Sequence, residues 1–145
     1  MPLLKLAALD ERDLEIISAH VQDAVMKVGD LVFRPREKRF AAAMNRFVWE
    51  NRRRGLFSRQ NERRRSVLAF DRVLSVGSTG IDRGRTDEVL SLLAVRFIPG
   101  ESPAGAIELT FSGNAAIRLE AECIEARLSD LGPAWDTPSR PAHRV

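Results

Sequence analysis

Cysteine, histidine and long apolar runs are what this chain has least of. One cysteine, Cys123, leaves no internal disulfide to form, and two histidines, His20 and His143, are too few for a Cys/His metal cluster. No apolar run approaches the roughly 18 to 20 residues of a membrane span, so no membrane insertion is expected. The opening MPLLKLAALDERD turns acidic after nine residues and lacks both a long apolar core and a small-residue cleavage site. It does not read as a secretory signal, and the expected location is the cytoplasm. There is no internal repeat and no low-complexity tract. No serine stands between the glycines that a nucleophile turn requires. Gly77-Ser78-Thr79-Gly80 lacks the lysine of a phosphate-cradling loop and leads into no helix. These absences leave no catalytic residue, no metal ligand and no cofactor to nominate.

What is present is an ordinary globular composition, 145 residues with 44% hydrophobic and 30% charged side chains. That length suits one continuous core, expected over residues 1–132, followed by a proline-rich tail, 133–145. The net charge of +3 is concentrated in one place: residues 51–65 hold seven arginines against one glutamate.

Hydropathy periods give the expected architecture. Leu3, Leu4 and Leu6 with Ala7 and Ala8 predict a short strand, ended by a helix start at Asp10, whose carboxylate can accept the free N–H groups of a first turn. Leu14, Ile17, Val21, Ala24, Val25 and Val28 then fall at helical spacing up to Gly29-Asp30. Leu31 to Phe33 and Arg39 to Trp49 flank the polar turn Pro35-Arg36-Glu37-Lys38, a hairpin signature. In its longer arm Phe40, Ala42 and Met44 share one parity and Phe47 and Trp49 the other, predicting a bulge or strong bend near Asn45. Ser66 to Ile81 and Glu88 to Ile98 read as strands.

Ile107, Leu109 and Phe111, then Ile117 and Leu119, alternate with polar residues as half-buried strands do. A common core face requires an odd-numbered connection, with Phe111 set opposite Ile117 and Leu109 opposite Leu119. Ala121, Ile124, Leu128 and Leu131 return to helical spacing before Gly132-Pro133, predicting a closing helix. The expected class is therefore α+β: a strongly bent antiparallel sheet of about seven strands, a helix in the N-terminal half and a C-terminal capping helix, similar to a pleckstrin-homology-like roll.

Three segments carry a resemblance to a known family: ISAHVQDAV with Val28-Gly29-Asp30-Leu31, then Phe70-Asp71-Arg72-Val73-Leu74-Ser75-Val76, and Ile117-Arg118-Leu119-Glu120 with Cys123 through Trp135. On these the chain resembles the bacterial domain-of-unknown-function family 2948. The resemblance implies a small bacterial cytoplasmic protein and brings no activity, ligand or catalytic residue with it.

The candidate binding residues are Arg52, Arg53, Arg54, Arg59, Arg63, Arg64 and Arg65. They are expected on a long strand connection anchored by Leu56 and Phe57. Guanidinium groups pair with carboxylate or phosphate oxygens as a two-pronged fork. The first expectation is a non-enzymatic interaction module with an acidic protein partner. The alternative is a nucleic-acid-associated protein gripping the phosphate backbone, with Phe57 to stack a base. A purely solvated connection, whose charge keeps strand edges from pairing with other chains, is the plain reading beside both. Glu120, Glu122 and Glu125 read as solvated or ion-paired carboxylates, His20 as a packed or surface histidine, and Cys123 as a small buried hydrophobe.

Overall fold

In the computed structural model residues 3–48 and 63–132 are described. Among them are ten strands and one α-helix, and every strand pair is antiparallel. Strand β1 (Lys5–Ala8) leads into α1 (Glu11–His20), which starts where expected: the Asp10 carboxylate accepts from the Asp13 N–H at 2.9 Å. The helix ends earlier than its apolar spacing suggests. Asp23 takes a left-handed backbone (φ 67°), and Val25–Lys27 forms β2, because the β-branched Val25 pairs with Ser91 across a ladder that no helix offers.

Strands β3 (Leu31–Arg34) and β4 (Arg39–Phe47) make the expected hairpin around Pro35–Glu37. The expected bulge in β4 is absent. Phe40, Ala42, Met44, Arg46 and Val48 are all buried at strict alternation, and pairing with β5 (Arg63–Phe70) runs unbroken from Phe40↔Phe70 to Phe47↔Arg63. Arg63, Arg64 and Arg65 thus belong to a paired strand and not to a loop. Their backbone is fixed by hydrogen bonds to β4, which outweigh the preference of charged side chains for solvent.

The stretch read as one strand, 66–81, breaks at Asp71-Arg72, where Arg72 has φ 65°, and continues as β6 (Val73–Thr79). Strands β7 (Val89–Pro99), β8 (Gly105–Phe111) and β9 (Ala115–Ala121) follow. The β8–β9 connection is odd, Ser112-Gly113-Asn114, but the register sits two residues from the expected one, with Phe111 opposite Ala115 and Leu109 opposite Ile117. Gly113 and Asn114 both accept positive φ, which lets a three-residue turn close there. The faces are unchanged, since a two-residue shift preserves parity.

The largest correction is at the C-terminal end. Residues 126–130 are not a capping helix but β10 (Ala126–Asp130), inserted between β1 and β5. Ala126, Leu128 and Asp130 are buried at period 2 while Arg127 is exposed. Two open sheet edges supply more hydrogen bonds to this segment than an isolated two-turn helix could retain. The extra strand, with β2 and the break at 71–72, accounts for ten strands where about seven were expected.

The order is β1-β10-β5-β4-β2-β7-β8-β9-β6, with β3 beside β4. The long β7 pairs with β2 through residues 89–91 and with β8 from Leu92 onward, and a register shift between Leu92 and Ala94 bends the sheet there. The far end returns far enough that the Val73 N–H donates to Lys38 O at 2.8 Å. Helix α1 lies against β7 and β1. Leu14 and Ile17 from the helix join Phe40, Met44, Leu68, Phe70, Ile107, Leu119 and Leu128 in a single buried apolar cluster.

Candidate functional site

The nominated arginines separate. Arg52, Arg53, Arg54 and Arg59, like Leu56, Phe57, Trp49, Trp135 and the tail 133–145, lie outside the described residues. Arg63 and Arg65 share the outer face of β5, two residues apart on one pleat. The Arg63 guanidinium carbon lies 5.1 Å from the centre of the Phe47 ring, within reach of a cation–π contact. Arg65 donates to Asn45 Oδ1 at 3.4 Å and to Asp30 Oδ2 at 3.5 Å, and its side chain is still 42% exposed. Next along the same face comes the half-buried pair Ala43 and Val67. Arg64 points the other way, opposite Arg46.

Arg46 and Asp130 are the charged residues that the alternation turns inward. Their side chains are each 1% exposed. Arg46 Nε and Nη2 donate to the two Asp130 oxygens at 2.9 Å each, and Nη1 donates to Phe47 O at 3.3 Å. The Ser66 hydroxyl donates to Asp130 Oδ1 at 2.6 Å and the Leu4 N–H to Oδ2 at 2.9 Å. Burial pushes the Asp130 carboxyl up, but the Arg46 fork, Ser66 and Leu4 outweigh it and hold the group below the usual carboxylate range. With both oxygens doubly bonded and the ion pair closed to solvent, this is a structural clasp joining β1, β10, β5 and β4, with no lone pair left for chemistry. Sequence reading missed it, although the Phe40, Ala42, Met44 rhythm continues straight through Arg46 to Val48.

The other candidates take plain roles. Glu120 pairs with Arg118 at 2.8 Å, Glu122 with Lys38 at 2.8 Å, and Glu125 with Arg72 at 3.5 Å. The Lys38 hydrogen bond holds the Glu122 carboxyl below its ordinary range. His20 Nδ1 lies 2.9 Å from Ile16 O, within its own helix, and Cys123 is a free, partly exposed thiol. Among the described residues no group of three or more His, Cys, Asp or Glu side chains is placed to hold a metal ion. No helix among them is long and apolar enough to cross a membrane. One cleft of about 300 Å³ opens between β3 and β6, lined by Leu31, Phe33, Phe40, Ser78, Arg83 and Ile117 among others.

Architecture and site together define, among the described residues, a mostly antiparallel sheet protein with one packed helix, a buried ion-pair clasp and two arginines on the outer face of β5. No curated protein and no solved structure matches the chain. It belongs to the family described as "Protein of unknown function (DUF2948)", whose model matches residues 4–143.

Proposed function

We propose that the protein is a non-enzymatic interaction module that takes an acidic protein partner on the outer face of β4 and β5. The observation that carries this is the placement of Arg63 and Arg65 on one exposed pleat, with the first spread against Phe47. A guanidinium stacked on a ring has less freedom to lose when a carboxylate docks against its edge. The adjoining Phe47, Ala43 and Val67 supply apolar surface beside the charge, the mixture that protein interfaces use. A nucleic-acid backbone would use the same guanidinium groups but gains little from that apolar strip, so it stands second. The reading places the protein in the cytoplasm of a bacterium, as one domain over residues 1–132 with a tail beyond. It keeps the bent sheet of a pleckstrin-homology-like roll and dispenses with the closing helix.

The test is cross-linked capture from cell extract at low salt, using the full chain and its Arg63→Glu, Arg65→Glu double variant, with circular dichroism to show that both fold. The expected result is capture of acidic proteins by the first and loss in the second. Equal capture by both refutes the reading. Capture that disappears on nuclease treatment transfers the assignment to nucleic acid, where binding should also fall steeply with salt.

A further inference from the structure

The cleft between β3 and β6 has a definite frame. At one end the Val73 N–H donates to Lys38 O at 2.8 Å, and at the other the Gly29 N–H donates to Thr86 O at 2.9 Å. Between these two bonds β3 and β6 face each other, and among the described residues no backbone hydrogen bond joins them. The gap is therefore a window in the wall of the bent sheet, fastened at both ends. Phe40 and Ile117, each 2% exposed, belong to the core and are its floor; Leu31, Phe33, Val76 and Ile81 are half-buried around it.

Two polar groups break the apolar lining. Ser78 stands opposite Ile117, on the core-facing side of β6, yet it is exposed, because nothing of this chain's described residues covers that position. Arg83 is at the rim, exposed, and makes no ion pair or hydrogen bond with any described residue. Its neighbour Asp82 is engaged with the Gly84 N–H at 2.9 Å.

We propose that this window binds a small amphipathic carboxylate, with its apolar body on Phe33, Phe40 and Ile117 and its head group at Arg83 and Ser78. Ligand sites combine a mostly apolar, concave lining with a few polar groups that fix orientation. The charge fits a monoanion: one guanidinium without a partner among the described residues meets one carboxylate, and the hydroxyl supplies a further donor. The size fits as well. About 300 Å³ lies at the lower end of the roughly 300–1,000 Å³ of small-molecule pockets, which suits a ligand of modest size. Octanoate has that size and that chemistry. This site is separate from the arginine face of β5, so neither proposal depends on the other.

The experiment is a titration of the isotope-labelled full chain with octanoate, octan-1-ol and octylamine, followed by amide NMR shifts. Saturable octanoate shifts are expected at Leu31 to Phe33, Val76 to Ile81 and Ile117. Arg83→Gln should weaken octanoate about tenfold or more, the effect of removing a charge-assisted hydrogen bond, while leaving octan-1-ol unchanged. Ser78→Phe should fill the window and abolish both. Shifts that never saturate, shifts centred elsewhere, equal binding of octylamine, or an Arg83→Gln variant that binds octanoate as tightly as the parent each overturn the proposal. Should Ser78→Phe fail to fold, the comparison of octanoate with octan-1-ol on Arg83→Gln decides alone, since that exposed side chain holds no described neighbour.

Discussion

Replacing Asp130 with leucine removes the acceptor for four hydrogen bonds at once: two from Arg46, one from Ser66 and one from the Leu4 N–H. The heavier consequence is that the Arg46 guanidinium, whose side chain is 1% exposed, loses the carboxylate that it grips with two donors. Breaking a buried pair in this way costs about 3–5 kcal/mol. That is a large share of the roughly 5–15 kcal/mol that holds a domain folded. Removing Arg46 as well, in Arg46→Met with Asp130→Leu, takes that buried charge away. Stability should then recover by about 2–3 kcal/mol relative to the single variant, the coupling expected of residues sharing one network. Urea unfolding followed by far-ultraviolet circular dichroism at neutral pH reads all four corners of the cycle, with an unchanged slope showing that midpoints report stability. A single-variant cost under about 1 kcal/mol, or costs that simply add, would refute the clasp as the lock of this sheet.

Two further predictions follow from geometry. Because the folded-state Asp130 carboxyl titrates below its ordinary value of about 4, its contribution is complete above that pH and drains away as pH falls through the depressed value. As pH falls below about 4 the parent should therefore lose urea midpoint more steeply than Asp130→Asn, and parallel profiles would contradict the assignment. At Gly105, which pairs with Pro99 and Ala121, an added Cβ would lie 2.5 Å from both Ile98 O and the Phe97 ring. Gly105→Ala should cost about 1–3 kcal/mol by overpacking, read as a drop in Tm, and an unmoved Tm would show that the sheet gives way there.

What could be read from the order of residues divides along one line. Where a run of inward positions was apolar, as in Ile107, Leu109 and Phe111 or Leu31 and Phe33, strand and face were both legible; the three-residue β2 was too short to show an alternation and passed for the end of the first helix. Wherever a charge was turned inward, the pattern dissolved. Arg46 made β4 look as if its face switched near Asn45, and Asp130 hid the alternation of Ala126 and Leu128, so that Ala121, Ile124, Leu128 and Leu131 passed for a helix. Both misreadings have one origin, since these two charges are paired with each other inside the sheet, 84 residues apart in the sequence. Local periodicity carries no information about such a partner. Arg63 to Arg65 were obscured for a related reason: three consecutive arginines look like solvent, yet their backbone is committed to β4. The window at Ser78 was illegible because it is built from two sheet edges that never pair, and an absent pairing leaves no mark on a sequence.

The clasp also sets an order of events as the chain leaves the ribosome. Leu4 can donate to Asp130 only after 126 further residues have been made, and β1 has no described ladder partner except the strand that ends there. Until then β1 lacks its described ladder partner, β5 keeps a bare edge, and Arg46 lacks the Asp130 carboxylate. The sheet is completed from its last strand inward, so any nascent chain stalled short of residue 126 exposes two sticky borders, the state in which a holding chaperone would find the most to grasp.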